Sequence, residues 1–283
     1  MPDPVIIRKP NGNTAPVVFD TPHSGTHYPA DFDYVVPLKR LRWAEDPHID
    51  ELFAAAPDSG ATLIAATFPR TYIDPNRAMT DIDPGQLEGD WPDPIAVSHR
   101  AKSGVGLIRS ASGRDKTPIY ARKLTVAEVR ARIDAYWTPY HTAVRQSLDD
   151  AHTEAGAVWH VNCHSMSRVW PAVYKKAGQP NTNDYTLGNR DGTTAGADFT
   201  EFVRATLAGF GFNVAVNDGQ KGVELVRAYS DPAANRHSLQ IEINQRLYLN
   251  GKNREKTEGF DEQKQIMTAL IDAICDYARA QII

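Results

Sequence analysis

The apolar positions of the chain form two kinds of pattern that alternate along its length. Short runs of consecutive apolar residues predict buried strands over residues 17–19, 61–68, 157–164, 212–216 and 239–244. Stretches with apolar residues three or four positions apart predict helices over residues 46–56, 125–148, 198–207 and 261–280. Strands that alternate with helices favour a layered α/β fold with a parallel or mixed sheet.

Local signals mark where two of these helices begin. Asp46 followed by Pro47 is typical of a helix start, with the aspartate as N-cap and the proline at the first helical position. Thr125 and Glu128 have the spacing of a capping box. Pro139 falls inside the helix that follows the capping box, and we expect it to kink or split that helix.

One long segment lacks any periodic pattern. Residues 80–118 are rich in Gly, Pro and Asp, which predicts an irregular insertion, and long irregular segments in compact domains are often functional. A chain of 283 residues is within the size range of one α/β domain. We therefore expect a single domain over residues 1–283, with an insertion at about 80–118.

Composition and charge narrow the classes of function. The chain carries 31 Lys and Arg against 35 Asp and Glu, a formal net charge of −4, whereas a nucleic-acid-binding protein usually shows a basic excess. No apolar run approaches the ~20 residues of a membrane helix, and no secretory signal is visible. With only two distant cysteines, the sequence predicts a cytoplasmic protein without nucleic-acid or membrane partners. It does not predict an oligomeric state.

Two of the nine histidines, His23 and His164, end predicted strands. Ligands of open α/β sheets gather at the carboxyl ends of strands. Two histidines with one carboxylate form a common catalytic zinc set, which leaves one position for water. Asp46 is the favoured carboxylate because an N-cap side chain points off the helix end, and Asp50 is the alternative. From the residues alone, structural histidines explain the pattern equally well.

The residues that precede His164 in its strand point alternately to the two faces of the sheet. Alternate strand residues point to the same face, so His160 and Asn162 are expected beside His164, with a packing role for His160 the simpler interpretation. Cys163 points the opposite way, which favours core packing over a nucleophilic thiol. The chain also lacks a phosphate-binding glycine loop and a Gly-x-Ser-x-Gly nucleophile elbow.

Glu242 is an acid within an apolar strand, between two isoleucines, where an unpaired carboxylate is costly to bury. Such a carboxylate is either held by a salt bridge or poised as a general base. We favour the general base, and the nearby Arg227, Arg236 and Arg246 keep the salt bridge open as an alternative.

A third candidate is the segment from Arg70 to Arg77, which follows a predicted strand. Arginine binds carboxylates through a planar two-point fork, so the two arginines suit an anionic substrate. Asp74 offers the alternative, in which it pairs with either arginine and holds the loop. Lys221 and Arg227 form a further basic segment before the strand of Glu242.

Taken together, these blocks and their order resemble the N-formylglutamate amidohydrolase family. The resemblance is carried by residues 22–25 (PHSG), 46–52 (DPHIDEL), 74–77 (DPNR), 162–166 (NCHSM), 187–192 (LGNRDG), 221–222 (KG) and 239–244 (LQIEIN). It implies the zinc-carboxypeptidase-like α/β fold, a three-layer sandwich with a mixed, mostly parallel central sheet. That family is similar in fold to succinylglutamate desuccinylase and aspartoacylase.

The resemblance also implies a function. It implies a metal-dependent amidohydrolase that splits N-formyl-L-glutamate into formate and L-glutamate in histidine degradation, with zinc as cofactor and a small anionic N-acyl amino acid as partner. His23, His164 and an acid, Asp46, would hold the zinc, and Glu242 would act as the catalytic acid and base. Asn76 with Arg77 would hold one substrate carboxylate; Arg70, Lys221 and Arg227 are the candidates for the other.

Two positions depart from the pattern of the wider superfamily. Zinc peptidases supply a glutamate ligand three residues after the first histidine, and here that position is Thr26, so the third ligand must come from elsewhere. Asn162 stands where an aspartate is expected, which weakens the charge support of a ligand histidine. The alternatives are a deacylase of another N-acyl amino acid and a non-catalytic binder of an acidic metabolite.

Overall fold

The computed structural model describes residues 3–170 and 176–282, and seven of its strands form one mixed sheet. The strands are β1 (Val5–Arg8), β2 (Val17–Thr21), β3 (Thr62–Ala66), β4 (Leu87–Glu88), β5 (Ala111–Ser112), β6 (Thr117–Pro118), β7 (Leu124–Thr125), β8 (Val158–Met166), β9 (Tyr185–Gly188), β10 (Val214–Val216) and β11 (Arg236–Asn244). The order in the large sheet is β1-β3-β2-β8-β11-β9-β10, and β4-β7 and β5-β6 form two small sheets.

Most of the helices are short, and three are long. They are α1 (Leu38–Arg42), α2 (Ile49–Leu52), α3 (His99–Lys102), α4 (Val126–Arg132), α5 (Thr138–Ala155), α6 (Ala197–Gly209), α7 (Glu224–Ala228) and α8 (Gly259–Gln281). A π-helix, Ile133–Trp137, joins α4 to α5. No helix in the described part of the chain is long and apolar enough to cross a membrane.

The chain forms two compact units. The first comprises residues 1–6, 22–45 and 65–143, and it contains the segment predicted to be an irregular insertion. The second comprises residues 7–21, 46–64 and 144–283. The expectation of a single domain with an insertion stays a prediction.

The pairing of the central strands confirms the predicted mixed, mostly parallel sheet of an α/β fold. Strand β8 pairs in parallel with β2 on one side and with β11 on the other, and β10 pairs in parallel with β9. Strand β9 runs antiparallel to β11. Neither β1 nor β9 was predicted, since both are four-residue strands without a clear alternation of polar and apolar residues.

The two faces of β8 differ sharply in chemistry, although all nine of its residues are buried. Trp159, Val161 and Cys163 lie in the apolar core, which also contains buried residues of α2, α6 and α8. His160, Asn162 and His164 alternate with them and therefore point to the other face. The packing role predicted for Cys163 is confirmed, and a row of buried polar side chains is left for the second face.

The long helical region behaves as its signals predict. Thr125 and Glu128 form the capping box at the start of α4. The π-helix ends at Trp137, so Pro139 falls in the first turn of α5, where its missing N–H costs little. The helix is therefore split just before the proline, as expected.

The helix start predicted at Asp46 is wrong. The N-cap of α2 is His48, whose φ of 62° lies in the left-handed region, and helical residues begin only at Ile49. The chain turns at His48 after Pro47, so the helix is four residues long and Asp46 lies outside it. The carboxylate of Asp46 is therefore available for contacts other than helix capping.

Candidate active site

His164 lies on the polar face of β8 between two oxygen atoms. Its Nδ1 is 3.0 Å from Oδ2 of Asp46, and its Nε2 is 2.7 Å from Oδ1 of Asn162. All three side chains are buried. Asp46 is fixed in turn by Ser165, whose hydroxyl donates to Oδ1 at 3.2 Å.

The orientation of the Asn162 amide determines which nitrogen of His164 carries the proton. Nδ2 of Asn162 donates to Oδ1 of Asp20 at 2.8 Å, so the amide oxygen faces His164 and must accept from Nε2–H. In the neutral ring, Nδ1 then presents a lone pair to the Asp46 carboxylate. A protonated ring would donate Nδ1–H to this carboxylate, and a neutral ring together with the carboxylate offers two donors that a metal ion can bind.

Asp20 connects Asn162 to a further buried histidine. The same Oδ1 of Asp20 lies 2.9 Å from Nε2 of His160, and Nδ1 of His160 lies 2.7 Å from the Ser238 hydroxyl. The register pairs Asp20 on β2 with Asn162 on β8, and Asn162 with Gln240 on β11. A hydrogen-bonded chain thus runs across the sheet and ends on the ring of His164.

His23 lies in a loop two residues after β2, in surroundings that parallel those of His164. Its Nε2 is 2.8 Å from Oδ1 of the fully buried Asp74, which can only accept, so Nε2 carries the proton. Gly25 permits the tight loop, because a Cβ at that position would lie 2.3 Å from the carbonyl oxygen of Phe68. In both histidines Nε2 is held by an oxygen atom, an arrangement usual for metal-ligating histidines.

Within the described residues, the buried residues that offer a group of donors for a metal ion are His23 in the first unit, and Asp46 and His164 in the second. Asp50, the alternative carboxylate, lies on α2 outside this group, and burial and then Glu51 raise its pKa. Two imidazole nitrogens and one carboxylate oxygen are the donor set of many catalytic zinc sites. The group is therefore compatible with a metal site, and its donors suit zinc.

Glu242 lies next to His164, on the neighbouring strand. The parallel register of β8 and β11 pairs the two residues, and paired residues of adjacent strands share a face. The Glu242 side chain is 8% exposed, and Nε2 of Gln240 donates to its Oε1 at 2.8 Å.

The three arginines considered as structural partners of Glu242 form ion pairs with other acids. Arg227 pairs with Glu224, Arg236 with Asp149 and Arg246 with Asp184. The role of Glu242 as a general base stays a prediction.

The predicted anion-binding segment forms a cluster around Asp74. Arg70 donates Nε and Nη2 to Oδ2 of Asp74, at 3.1 and 2.8 Å. Arg77 and Arg109 lie at 3.9 and 3.8 Å from the same oxygen. Burial raises the pKa of Asp74, but Arg70, His23 and Arg77 outweigh it and hold that pKa well below its usual range. Asp74 therefore both orients His23 and anchors the arginines.

The loop that carries Asn76 and Arg77 is held from α5 and the π-helix. Trp137 donates its indole N–H to the carbonyl of Arg77 at 3.0 Å, and Nε2 of His141 lies 2.7 Å from the carbonyl of Pro75. The rings of Trp137 and His141 stack at 3.6 Å. The π-helix, a feature often found at functional sites, shapes the helix where it carries Trp137.

Lys221 and Arg227, the other predicted binding residues, have different surroundings. Both lie in exposed positions of the second unit. The ammonium of Lys221 pairs with Asp191 at 2.9 Å, and Arg227 pairs with Glu224 at 2.7 Å. Their assignment to substrate binding stays a prediction.

Two residues of these clusters, Asp20 and Arg109, were not singled out in the sequence. Asp20 ends an apolar strand, and an acid in such a place was the available signal. Arg109 falls within residues 80–118, where no periodicity distinguishes one position from another.

Comparison with known proteins adds to this geometry. Residues 15–249 match the model of the family described as N-formylglutamate amidohydrolase. The N-formylglutamate deformylase of Pseudomonas putida is 26% identical over 257 residues, which cover 89% of this chain and 86% of that protein. The deformylase of the same name from Pseudomonas aeruginosa is 26% identical over 240 residues, 83% of this chain and 82% of that protein.

Solved structures are similar over nearly the whole chain. The crystal structure of N-formylglutamate amidohydrolase from Ralstonia eutropha JMP134 is 46% identical, covers 99% of each chain and superposes with a TM-score of 0.93. A protein from Agrobacterium tumefaciens with a TM-score of 0.63 covers 99% of this chain and 96% of its own. At 18% identity, that second likeness shows the fold alone.

Proposed function

The chain belongs to the N-formylglutamate amidohydrolase family, and we propose that it hydrolyses N-formyl-L-glutamate to formate and L-glutamate, a step of histidine degradation. The deformylases of the two Pseudomonas species and the Ralstonia eutropha amidohydrolase support this substrate. The observation that carries the proposal is the approach of His164 Nδ1 to Asp46, with Glu242 in register beside that histidine. A donor pair that suits a metal, beside a carboxylate that can accept a proton, supports this reaction.

We assign His23, Asp46 and His164 as the ligands of one zinc ion, with Nδ1 as the ligand atom of both histidines. Zinc in such a donor set lowers the pKa of a water molecule to roughly 7 and polarises an amide carbonyl. Asn162 and Asp74 keep the two rings in the tautomer with a proton on Nε2, so that neither ring must reorganise on metal binding.

Glu242 moves the proton in the proposed reaction. Its carboxylate accepts a proton from the water whose oxygen attacks the formyl carbon. As the C–N bond breaks, Glu242 delivers that proton to the departing amine nitrogen, which leaves formate and L-glutamate. The side chain of Glu242 is 8% exposed and accepts from Gln240, so little bulk water reaches a carboxylate that must both take up and release a proton.

Asn76 and Arg77 are the residues that we assign to the first carboxylate of the substrate. Both are buried and held by the loop contacts from Trp137 and His141. Burial lowers the pKa of Arg77 to about 10, although Asp74 opposes this, so its guanidinium stays charged at neutral pH. A small anionic N-acyl amino acid is the kind of partner that this charge favours.

Formate release from N-formyl-L-glutamate, measured with metal content before and after chelation, tests the proposal. We expect about one zinc per chain and turnover that is lost on chelation and restored by zinc. Zinc with no turnover would contradict the substrate, and N-acetyl- and N-succinyl-L-glutamate would then test for a deacylase of another N-acyl amino acid. A protein that binds no metal on reloading would overturn the mechanism and favour a non-catalytic binder.

The variant Glu242→Gln tests the general base separately from the metal site. It should keep its zinc and lose about 10²–10⁴-fold in kcat, the usual contribution of a positioned general base. Glu154→Gln, the same substitution at an exposed position of α5, is the matched control and should keep both its zinc and its kcat. Full activity of Glu242→Gln would show that another group accepts the proton.

A further inference from the structure

Arg109 is a largely buried cation whose donors are not used by the protein. Its side chain is 14% exposed, and its Nε is a buried atom without a hydrogen-bond partner among the described residues. Its ion-pair contact to Asp74 spans 3.8 Å, beyond hydrogen-bond distance. A buried donor without an acceptor is destabilising, so the position calls for an explanation.

The neighbouring arginines use their donors differently. Arg70 places Nε and Nη2 on Asp74, and Arg77 donates Nε to the carbonyl of Val105 and Nη1 to that of Asn76. The carboxylate of Asp74 is thus already engaged on the side that Arg109 faces. Arg109 is therefore a guanidinium of this cluster whose Nε has no acceptor among the described residues and can donate to a ligand.

Charge gives a second, independent reason. Arg70, Arg77, Arg100 and Arg109 act on one another across this cluster, and the acids that act on it are Asp74 and Asp81. Positive side chains are thus concentrated around Arg109. Burial, and then Arg70, lower the pKa of Arg109 to about 9, which still leaves it charged at neutral pH. Positive charge concentrated away from water is stabilised by a bound anion.

The backbone holds Arg109 in place. An antiparallel bridge joins Val105 to Arg109, and the carbonyl of Leu107 accepts from the N–H of Asp74. Gly106 makes this close packing possible, because a Cβ there would lie 2.7 Å from the Cβ of Ala101. The stretch of chain that carries Arg109 is therefore hydrogen-bonded to the backbone of Asp74.

We propose that Arg109 binds the side-chain carboxylate of the glutamyl substrate and thereby sets the preference for a dicarboxylate. The proposal rests on the proposed function, in which Asn76 and Arg77 take the other carboxylate. N-formyl-L-glutamate carries two carboxylates, so that Arg77 and Arg109 would each bind one of them. Arginine presents two parallel donors to a carboxylate, a geometry that lysine lacks.

Kinetics of Arg109→Met on two substrates test the proposal. N-formyl-L-glutamine has the size of N-formyl-L-glutamate but lacks the second charge. We expect kcat/KM for N-formyl-L-glutamate to fall about 100-fold, the loss typical of a charge-assisted pair, and kcat/KM for N-formyl-L-glutamine to change by less than about 3-fold. Arg114→Met, at an exposed position of the same segment, is the matched control and should leave both values unchanged.

Equal losses on the two substrates would overturn the proposal, as would an unchanged preference for N-formyl-L-glutamate. If Arg109→Met fails to fold, Arg109→Lys keeps the charge without the fork and should show the same preference loss in smaller measure. Calorimetric binding of L-glutamate against L-glutamine to the zinc-loaded protein gives a readout without turnover. A wild-type protein that prefers L-glutamate but releases no formate would contradict the proposed function alone and leave the role of Arg109 supported.

Discussion

At the residue scale, the site is governed by which nitrogen of each histidine carries the proton. Asn162 stands where we expected an aspartate, and its amide relays the charge of Asp20 to His164. An aspartate at position 162 would bring two carboxylates within about 3 Å of each other, which is costly for buried groups of like charge. Asparagine at position 162 therefore suits the neighbouring Asp20. The carboxylate of Asp20 supplies the negative charge behind the ring of His164.

Asp20→Asn tests this relay without touching a metal ligand. The substitution leaves an oxygen that can still accept from Asn162 but removes the negative charge of Asp20, so His164 loses the charge support that presents Nδ1 to the metal. We expect zinc affinity to fall about 10–100-fold, as is common for partners of ligand histidines. Competition with a chromophoric chelator measures this, with the exposed Asp150→Asn on α5 as control. An affinity within about twofold of wild type would refute the relay.

At the element scale, alternation along the strands places the polar site residues on one face and the apolar core residues on the other. A helix cap marks the start of the helical region that contacts the loop of Asn76 and Arg77. On β8, Trp159, Val161 and Cys163 lie in the core together with residues of α6 and α8, while His160, Asn162 and His164 alternate with them. On the helical side, Thr125 and Glu128 cap α4, which leads through the π-helix to Trp137 and its contact with Arg77. The cap thus lies at the start of the helical region that holds the loop of Asn76 and Arg77.

Thr125→Ala should lower the free energy of unfolding by about 1 kcal/mol, the usual cost of a lost N-cap. Urea unfolding measures the change. Thr268→Ala is the control, since that hydroxyl bonds to the carbonyl of Lys264 within α8 and caps nothing. An unchanged unfolding free energy in Thr125→Ala would mean that the first turn of α4 is held by packing alone.

The same cap should also contribute to acid sensitivity. The hydrogen bond from Arg122 lowers the pKa of Glu128 to about 2, from an ordinary value of 4.5. Because the folded-state pKa is the lower one, this contribution is present above about pH 4.5 and is lost as the pH falls towards 2. Partial exposure of both side chains keeps the effect small.

At the scale of the whole molecule, the proposed zinc ion ties together three residues that lie far apart in the sequence, at positions 23, 46 and 164. A ligand that binds only the folded chain stabilises it by mass action. At a free zinc concentration 100 times the Kd, the stabilisation amounts to about 2.7 kcal/mol. Metal binding is therefore expected to be measurable as protein stability, independently of turnover.

Calorimetry should show a lower Tm after zinc removal and its recovery on reloading. In His164→Ala the Tm should no longer depend on zinc, because one of the three proposed ligands is gone. His152→Ala is the matched control, since His152 contacts only the carbonyl of Ala234 near the surface and should keep the zinc dependence. A wild-type Tm that is the same with and without zinc would contradict the proposed site.

The local pattern of the chain was enough to locate the strands that carry the chemistry. Alternation on residues 157–164 and 239–244 placed His164 and Glu242 on strands, and it separated Cys163 from the polar face, because side-chain direction in a strand has a period of two. Capping and proline signals likewise placed the start of α4 and the break before α5. Such features depend on neighbours within a few residues, and they can therefore be predicted from the sequence.

Only the tertiary structure decided which distant groups meet. The contact of Asp46 with His164 spans 118 positions, and the helix cap expected at Asp46 was wrong because Pro47 and the left-handed His48 delay the helix. The relay through Asp20 depends on the register of β2 against β8. Whether the donors of Arg109 are available depends on which acceptors Arg70 and Arg77 bind. Contacts of this kind are set by packing across the fold, and no local period in the chain encodes them.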